Sequence, residues 1–232
     1  MTAELRVVPV PGLPEVRPGD DLAGMVAAAC EAAIGLRDGD VVVVTQKVVS
    51  KAEGRLVEID PEIGHRPIVE AESVRILRRR GDLIIAETEH GFVCANAGVD
   101  LSNVEAGQAA LLPEDPDRSA RRIRDALTHR FGVEVAVIVS DTFGRPWREG
   151  LVDVALGSAG FAPIDDIRGQ TDWTGRELAV TTSAAADQLA AAAGMLMLKD
   201  AGIPAVWIEG YPLRGEGRVK DTLRDPEKDL FR

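Results

Sequence analysis

The segment that most constrains this chain is Val137-Ile138-Val139-Ser140-Asp141-Thr142-Phe143-Gly144-Arg145-Pro146-Trp147-Arg148. An apolar, β-branched run breaks off into an acid, a hydroxyl, a glycine and two arginines. Such a run suits a buried strand, here over Val133 to Val139. The strand would deliver Asp141 and Thr142 to its tip, where the backbone is fixed but water, metal and substrate have access. Carboxylate plus hydroxyl suits a hard cation such as magnesium or manganese, and arginine suits phosphate. The segment reads as part of a phosphate-handling enzyme, with a plain strand ending in a polar turn as the alternative.

Other elements follow from local pattern. Val7 to Pro11 reads as a short strand ended by Pro11-Gly12. Asp20 and Asp21 cap a helix with the stripe Leu22, Met25, Val26, Ala29 and Ala33. Asp38-Gly39-Asp40 turns the chain into Val41-Val42-Val43-Val44, a continuous run typical of a strand covered on both faces. Pro61 to Pro67 is loop-like. Glu70 to Arg80 reads as a helix whose basic end, Arg78 to Arg80, complements its dipole. Leu83 to Ala86 and Phe92 to Ala95 suggest a hairpin. Asp117 caps a third helix carrying Ile123, Leu127 and Phe131. Leu178 to Thr182 reads as a strand, Ser183 opens an alanine-rich helix to about Lys199, and Ala205 to Ile208 gives a late strand. The tail after Gly210 reads as loop with a short helix. Strands and helices alternate, but without the regular rhythm of a doubly wound sheet. The expected architecture is α+β, with mixed sheets and helices in two intimately connected lobes.

At 232 residues with 45% hydrophobic content, the chain can bury a sizeable core. A formal charge of −11 argues against nucleic acid or an anionic membrane as the main partner. No apolar stretch approaches the roughly 20 residues needed to cross a bilayer. The start, Met1 to Arg6, lacks the pattern of a signal peptide, so a cytoplasmic location is expected. Cys30 and Cys94 read as buried free thiols.

Four polar clusters interrupt the apolar scaffold. Gln46 to Arg55 follows the valine strand, and Lys51 there could meet phosphate as a point charge or be an ordinary surface lysine. Asn96 to Asn103 combines small residues with Asp100 and Asn103, which either bind a ligand or form an Asx turn. Asp141-Thr142 is the third. Gly210 to Lys220, with Arg214 and Arg218, reads as a mobile basic surface segment. There is no P-loop, no serine-hydrolase elbow and no Cys/His metal spacing. Oxygen donors without histidine favour magnesium or manganese over zinc.

Taken in order, these segments resemble the coenzyme F420-0:L-glutamate ligase family in its stand-alone form. The resemblance runs through Pro11-Gly12-Leu13-Pro14, Asp38-Gly39-Asp40-Val41, Val49-Ser50-Lys51-Ala52-Glu53-Gly54-Arg55, Asn96 through Asn103, Ser140 through Arg148 and Gly175-Arg176-Glu177-Leu178. It covers nearly the whole chain as a single ligase unit, with no appended nitroreductase-like domain expected. It implies GTP-dependent joining of L-glutamate to the lactyl carboxylate of F420-0, with later γ-linked additions. It also implies two divalent ions, a potassium effect, and a V-shaped protomer in an intertwined homodimer. Carried over by position, Asp100 and Asp141 are expected to hold one metal and Thr142 the second. Leu13, Pro14, Glu15, Val16, Gln46, Lys47, Lys51 and Asn103 are expected nucleotide contacts.

Two stretches depart from the family pattern. In Met197 to Pro204, Asp200 is the expected substitute metal ligand. Gln170 to Thr174 leaves the acceptor open. Arg145 and Arg148 are candidates, on chemistry and position, for holding the substrate's phosphodiester or the glutamate carboxylates. The rival readings are a paralogous amide ligase for another carboxylic acid, a non-catalytic GTP-binding regulator and a dimerisation module.

Overall fold

In the computed structural model, which describes residues 4–230, the valine run forms the central strand of the main sheet. Strand β1 (Arg6–Pro9) leads to helix α1 (Leu22–Ala33), β2 (Val41–Thr45) and α2 (Gln46–Ala52). Next come β3 (Leu56–Glu58), α3 (Arg66–Ala71), β4 (Ser73–Arg80), β5 (Leu83–Thr88), β6 (Val93–Ala95) and β7 (Gln108–Ala110). Helix α4 (Pro116–Phe131) precedes the long β8 (Ala136–Arg145) and β9 (Arg148–Ala159). Short β10 (Asp165–Asp166) and β11 (Thr182–Ser183), helix α5 (Ala185–Gly194) and β12 (Ala205–Glu209) follow. Two 3-10 turns, Val219–Thr222 and Pro226–Lys228, come last. The mixed α+β class expected from the sequence is what the chain adopts.

The main sheet has the order β1-β12-β2-β8-β9, and only β2 and β8 run parallel. Its two faces explain why β2 is all valine. Val42 and Val44 pack with Val137 and Val139 under α1 and α4. Val41 and Val43 pack with Ile138, Val206 and the α5 residues Leu189 and Ala190. A strand covered on both sides has no polar face to alternate with. A third, smaller core joins Val69, Ile84, Ala86, Val99 and Leu111 beneath the lesser sheets.

Beyond the core, β8 and β9 continue together as an exposed two-stranded ribbon closed at Arg145↔Arg148. Their pairing shifts at Gly144/Arg145, beside the turn, and between Val139/Ser140, where Val139 faces Gly157 but Ser140 faces Ala155. Leu156 is the extra residue of this second shift, a β-bulge. Asp141 and Thr142 therefore lie inside a strand, not at its tip, because β9 supplies partners as far as Arg145.

Several local expectations yield to tertiary pairing. Glu70 to Arg80 is not a helix. Pro67 starts α3 earlier, α3 stops at Ala71, and residues 73–80 pair with β5. β-Branched Val74 and Ile76 suit that ladder, so Arg78 to Arg80 lie on a strand and complement no helix dipole. The cap of α4 is Asp115, which accepts from the Arg118 N–H at 2.9 Å. Asp117 turns inward and accepts from the Ser158 and Val219 N–H groups at 2.8 and 2.9 Å. The segment after Gly210 is thereby anchored to the core at Val219. Asp21 alone caps α1, while Asp20 closes a turn by accepting from the Arg17 N–H.

Leu178 to Thr182 forms no strand before Thr182. It folds back on residues 167–170 through backbone bonds, and Val180 is left exposed rather than covered by a sheet. Helix α5 ends at Gly194, well before Lys199, and the chain then curls through turns. The strand, hairpin and late-strand readings around Val41, Leu83–Ala95 and Ala205 match the structure. Both cysteines are buried and free. Among the described residues no helix is long and apolar enough to cross a membrane. Residues 1–3, part of the start read above for a signal, lie outside the described residues.

Candidate active site

The parallel pairing of β2 with β8 ends at Thr45 opposite Ser140. The residues that follow such paired strand ends are brought together whatever their distance in sequence. Lys47 sits in the first turn of α2, directly after β2, and Asp141 directly after Ser140. Both line a cleft of about 700 Å³. Leu13 to Val16 form another part of its wall, with Lys51, Asp100, Asn103 and Thr142. Of the residues named from sequence, the fold thus gathers ten from four separate regions into one cavity.

Lys47 is nearly buried and holds Asp100 in place. Its Nζ lies 2.7 Å from Asp100 Oδ2 and donates to the Ser102 carbonyl and hydroxyl, each at 2.6 Å. The Ser102 N–H donates to Asp100 Oδ1 at 2.7 Å, so the Asx turn and the inward-facing acid are the same structure. Burial pushes the Asp100 carboxyl up, but the Lys47 ammonium and the Ser102 N–H outweigh it, and the net position lies below the ordinary value. Lys51, one helical turn on, pairs with Glu15 at 2.5 Å across the cleft. The Asn103 side-chain amide donates to the Lys199 carbonyl at 3.3 Å.

Asp141 is the most perturbed acid of the cleft. Burial pushes its carboxyl up to about 7; the Thr142 N–H and Lys47 oppose this, while the charges of Asp100 and Asp153 add to it. A group so placed is stabilised in its ionised form by an added cation. The oxygen-only donors Asp100, Asp141 and Thr142 fit magnesium or manganese. Among the described residues no three His, Cys, Asp or Glu side chains converge on one point. A hard divalent ion would therefore complete its shell from the hydroxyl, water and substrate phosphate, as magnesium commonly does.

Four expected residues lie elsewhere. Gln46 is fully buried and accepts from the Ser50 hydroxyl at 2.8 Å, within α2, so it does not reach the cleft. Asp200 is exposed and does not line the cleft, although its neighbour Lys199 does. Arg145 and Arg148 face each other at the exposed end of the ribbon, and the Arg145 guanidinium folds back onto the Glu149 carbonyl. Arg218, from the fourth polar cluster, lines a second cavity of about 640 Å³ with Arg55 and His90.

One acid escaped the sequence reading. Asp153 lines the cleft and accepts from the Thr142 hydroxyl at 2.7 Å. Burial raises its carboxyl, against the opposing effects of that hydroxyl and of Lys199. Its signal in the sequence was only the acid in Leu151-Val152-Asp153-Val154, and its partner depends on a register that no local pattern reveals.

Comparison with known proteins bears on the family. A family model described as F420-0:Gamma-glutamyl ligase matches residues 12–210. The chain is 47% identical over 249 residues to a coenzyme F420:L-glutamate ligase of Methanothermobacter thermautotrophicus, covering 98% of this chain and 99% of that protein. It is 43% identical over 252 residues to the protein of the same name from Methanopyrus kandleri, with 98% of each covered. For the Archaeoglobus fulgidus protein of that name the identity is 39% over 244 residues, covering 98% and 96%.

Proposed function

Because this chain belongs to the F420-0:gamma-glutamyl ligase family, we propose that it joins L-glutamate to coenzyme F420-0 at the expense of GTP, in F420 biosynthesis. The observation that carries the reading is the convergence of Lys47, Asp100, Asp141 and Thr142 in one cleft beside Leu13 to Val16 and Asn103. Cation, hard-metal ligands and a nucleotide-sized hollow are what phosphoryl transfer requires.

A carboxylate is a poor electrophile for an amine. In this reading the γ-phosphoryl group of GTP passes to the F420-0 carboxylate, giving an acyl phosphate and GDP. The glutamate amine then attacks the acyl carbon, the amide C–N bond forms, and phosphate leaves as the amine loses a proton. Asp100 and Asp141 would hold one divalent ion and Thr142 the second, where the ions would offset charge on the phosphate oxygens. Lys47 keeps Asp100 ionised and directed inward. Lys51 can exchange its exposed partner Glu15 for a phosphate. Leu13 to Val16 and Asn103 wall the nucleotide. Arg145 and Arg148 stand far out on the ribbon, where they would meet the charged part of the acceptor or of the glutamate. The V-shaped protomer and the intertwined homodimer belong to the same reading, and the solvent-exposed apolar Leu151 on the ribbon supports an interface there.

The test is mass spectrometry of F420-0 incubated with the protein, L-glutamate, GTP and manganese. A product heavier by one or more glutamyl units, absent without GTP, is expected. Asp141→Asn should lower turnover roughly 100-fold or more. No heavier product from the native protein would refute the ligase, and unchanged turnover in Asp141→Asn would refute the metal assignment.

A further inference from the structure

The environment of Thr142 is built more closely than a ligand role alone explains. A threonine hydroxyl has one hydrogen and two lone pairs, and where the hydrogen goes decides where the lone pairs point. Here the hydrogen goes to Asp153 Oδ1 at 2.7 Å.

Two features of the backbone make this pairing possible. The first is the bulge at Leu156. Without the slip between Val139/Ser140, the residue opposite Thr142 would be Val154; with it, the opposite residue is Asp153. The second is Gly194, the last residue of α5. A Cβ at Gly194 would stand 2.7 Å from both Cγ and Oδ2 of Asp153 and 3.0 Å from its Cβ. The backbone of Gly194 has no positive φ that would demand glycine. The Asp153 carboxylate occupies the space that any larger residue at 194 would fill.

We infer that Asp153 is a positioning residue that fixes the Thr142 hydroxyl with its lone pairs toward the cleft, and that Gly194 is the gap that admits it. The inference rests on the reading above, in which Thr142 ligates a divalent ion. The absence of a side chain at 194 then serves the site and not the helix.

The experiment is a manganese titration of the whole protein followed by electron paramagnetic resonance of the free ion, with and without GTP. The proteins are the native chain, Asp153→Asn, Asp153→Ala, Gly194→Ala, Thr142→Val and Asp141→Asn. Loss of an outer partner typically weakens metal binding about 10- to 100-fold. Asp153→Ala and Gly194→Ala should each weaken one class of ion by about tenfold or more and leave the Asp141 class in place. Asp153→Asn, whose amide oxygen can still accept the hydroxyl hydrogen, should retain most of the binding and guards against misfolding as the cause. If Thr142→Val loses an ion while Asp153→Ala and Gly194→Ala bind as the native protein does, the positioning role is overturned and the metal reading stands. If Thr142→Val binds as many ions as the native protein, the reading beneath it fails.

Discussion

Replacing Lys47 with methionine tests how the cleft holds Asp100. Methionine keeps the length of the side chain and removes its charge and donors. In the native protein Lys47 Nζ reaches the Asp100 carboxylate at 2.7 Å and Ser102 twice at 2.6 Å. The side chains are 11% and 22% exposed, which puts the pair nearer the buried limit than the surface one. Surface pairs contribute about 0–1 kcal/mol, and breaking a buried pair costs about 3–5 kcal/mol. The expected loss is therefore about 2–4 kcal/mol, read as a fall in melting temperature of roughly 4–16 °C for a chain of this size.

The loss should also depend on pH. The native folded Asp100 lies below its ordinary value, so its stabilisation is present above the unfolded pKa and disappears as pH falls through the folded one. Without the ammonium, burial is opposed only by the Ser102 hydrogen bonds, so the folded value rises. The ionised carboxyl then stabilises the fold less at neutral pH, and that loss shrinks on acidification. Urea denaturation with chelator present, at about pH 7.5 and about pH 4.5, should show the gap between the two proteins narrowing at the lower pH. A loss under about 0.5 kcal/mol, or a gap that ignores pH, would refute the account.

Two further outcomes follow from packing and burial. Gly157 lies where β9 meets the start of α4, and a Cβ there would stand 2.2 Å from the Pro116 carbonyl carbon. Gly157→Ala should destabilise by about 1–3 kcal/mol or more, because backbone must move; denaturation within about 0.5 kcal/mol of native would contradict this. Burial pushes both Cys30 and Cys94 up to about 12. Neither thiol should react with a disulfide reagent at neutral pH until the chain is unfolded, when two should titrate; fast labelling of the folded protein would show the burial to be wrong.

What the sequence disclosed and what it hid divide along a physical line. Val41 to Val44 could be read as doubly covered because a strand buried on both faces is apolar at every position and does not alternate. Asp100, Asp141 and Thr142 stood out because ionic and hydroxyl side chains interrupt apolar surroundings, whereas Lys47 was named only through the family resemblance. Glu70 to Arg80 reads as a helix because its helix-compatible charges are local, whereas the ladder to β5 that makes Ser73–Arg80 a strand is not. Asp153 was missed for a similar reason: its importance depends on a one-residue slip at Leu156 and a missing side chain at Gly194, neither of which has a local signature. Gln46 misled in the opposite direction, since a polar residue beside a site can face inward and bond to its own helix.

The parallel pairing of β2 with β8 also bears on how the protein comes to exist. Val41 and Ala136 are neighbours in the sheet but far apart in the chain, so their pairing closes a long loop and is entropically slow to form. Lys47, Asp100 and Ser102 all precede α4 in the chain, and the bonds among them use no atom of β8, although α2 itself packs against that strand. Asp141 enters only when β8 docks against β2. A chain not yet past Ala136 holds every member of the lysine–aspartate pair but lacks Asp141 and the strand that completes the cleft. Ligands that bind across that cleft would thus select chains whose central strand pair has already closed.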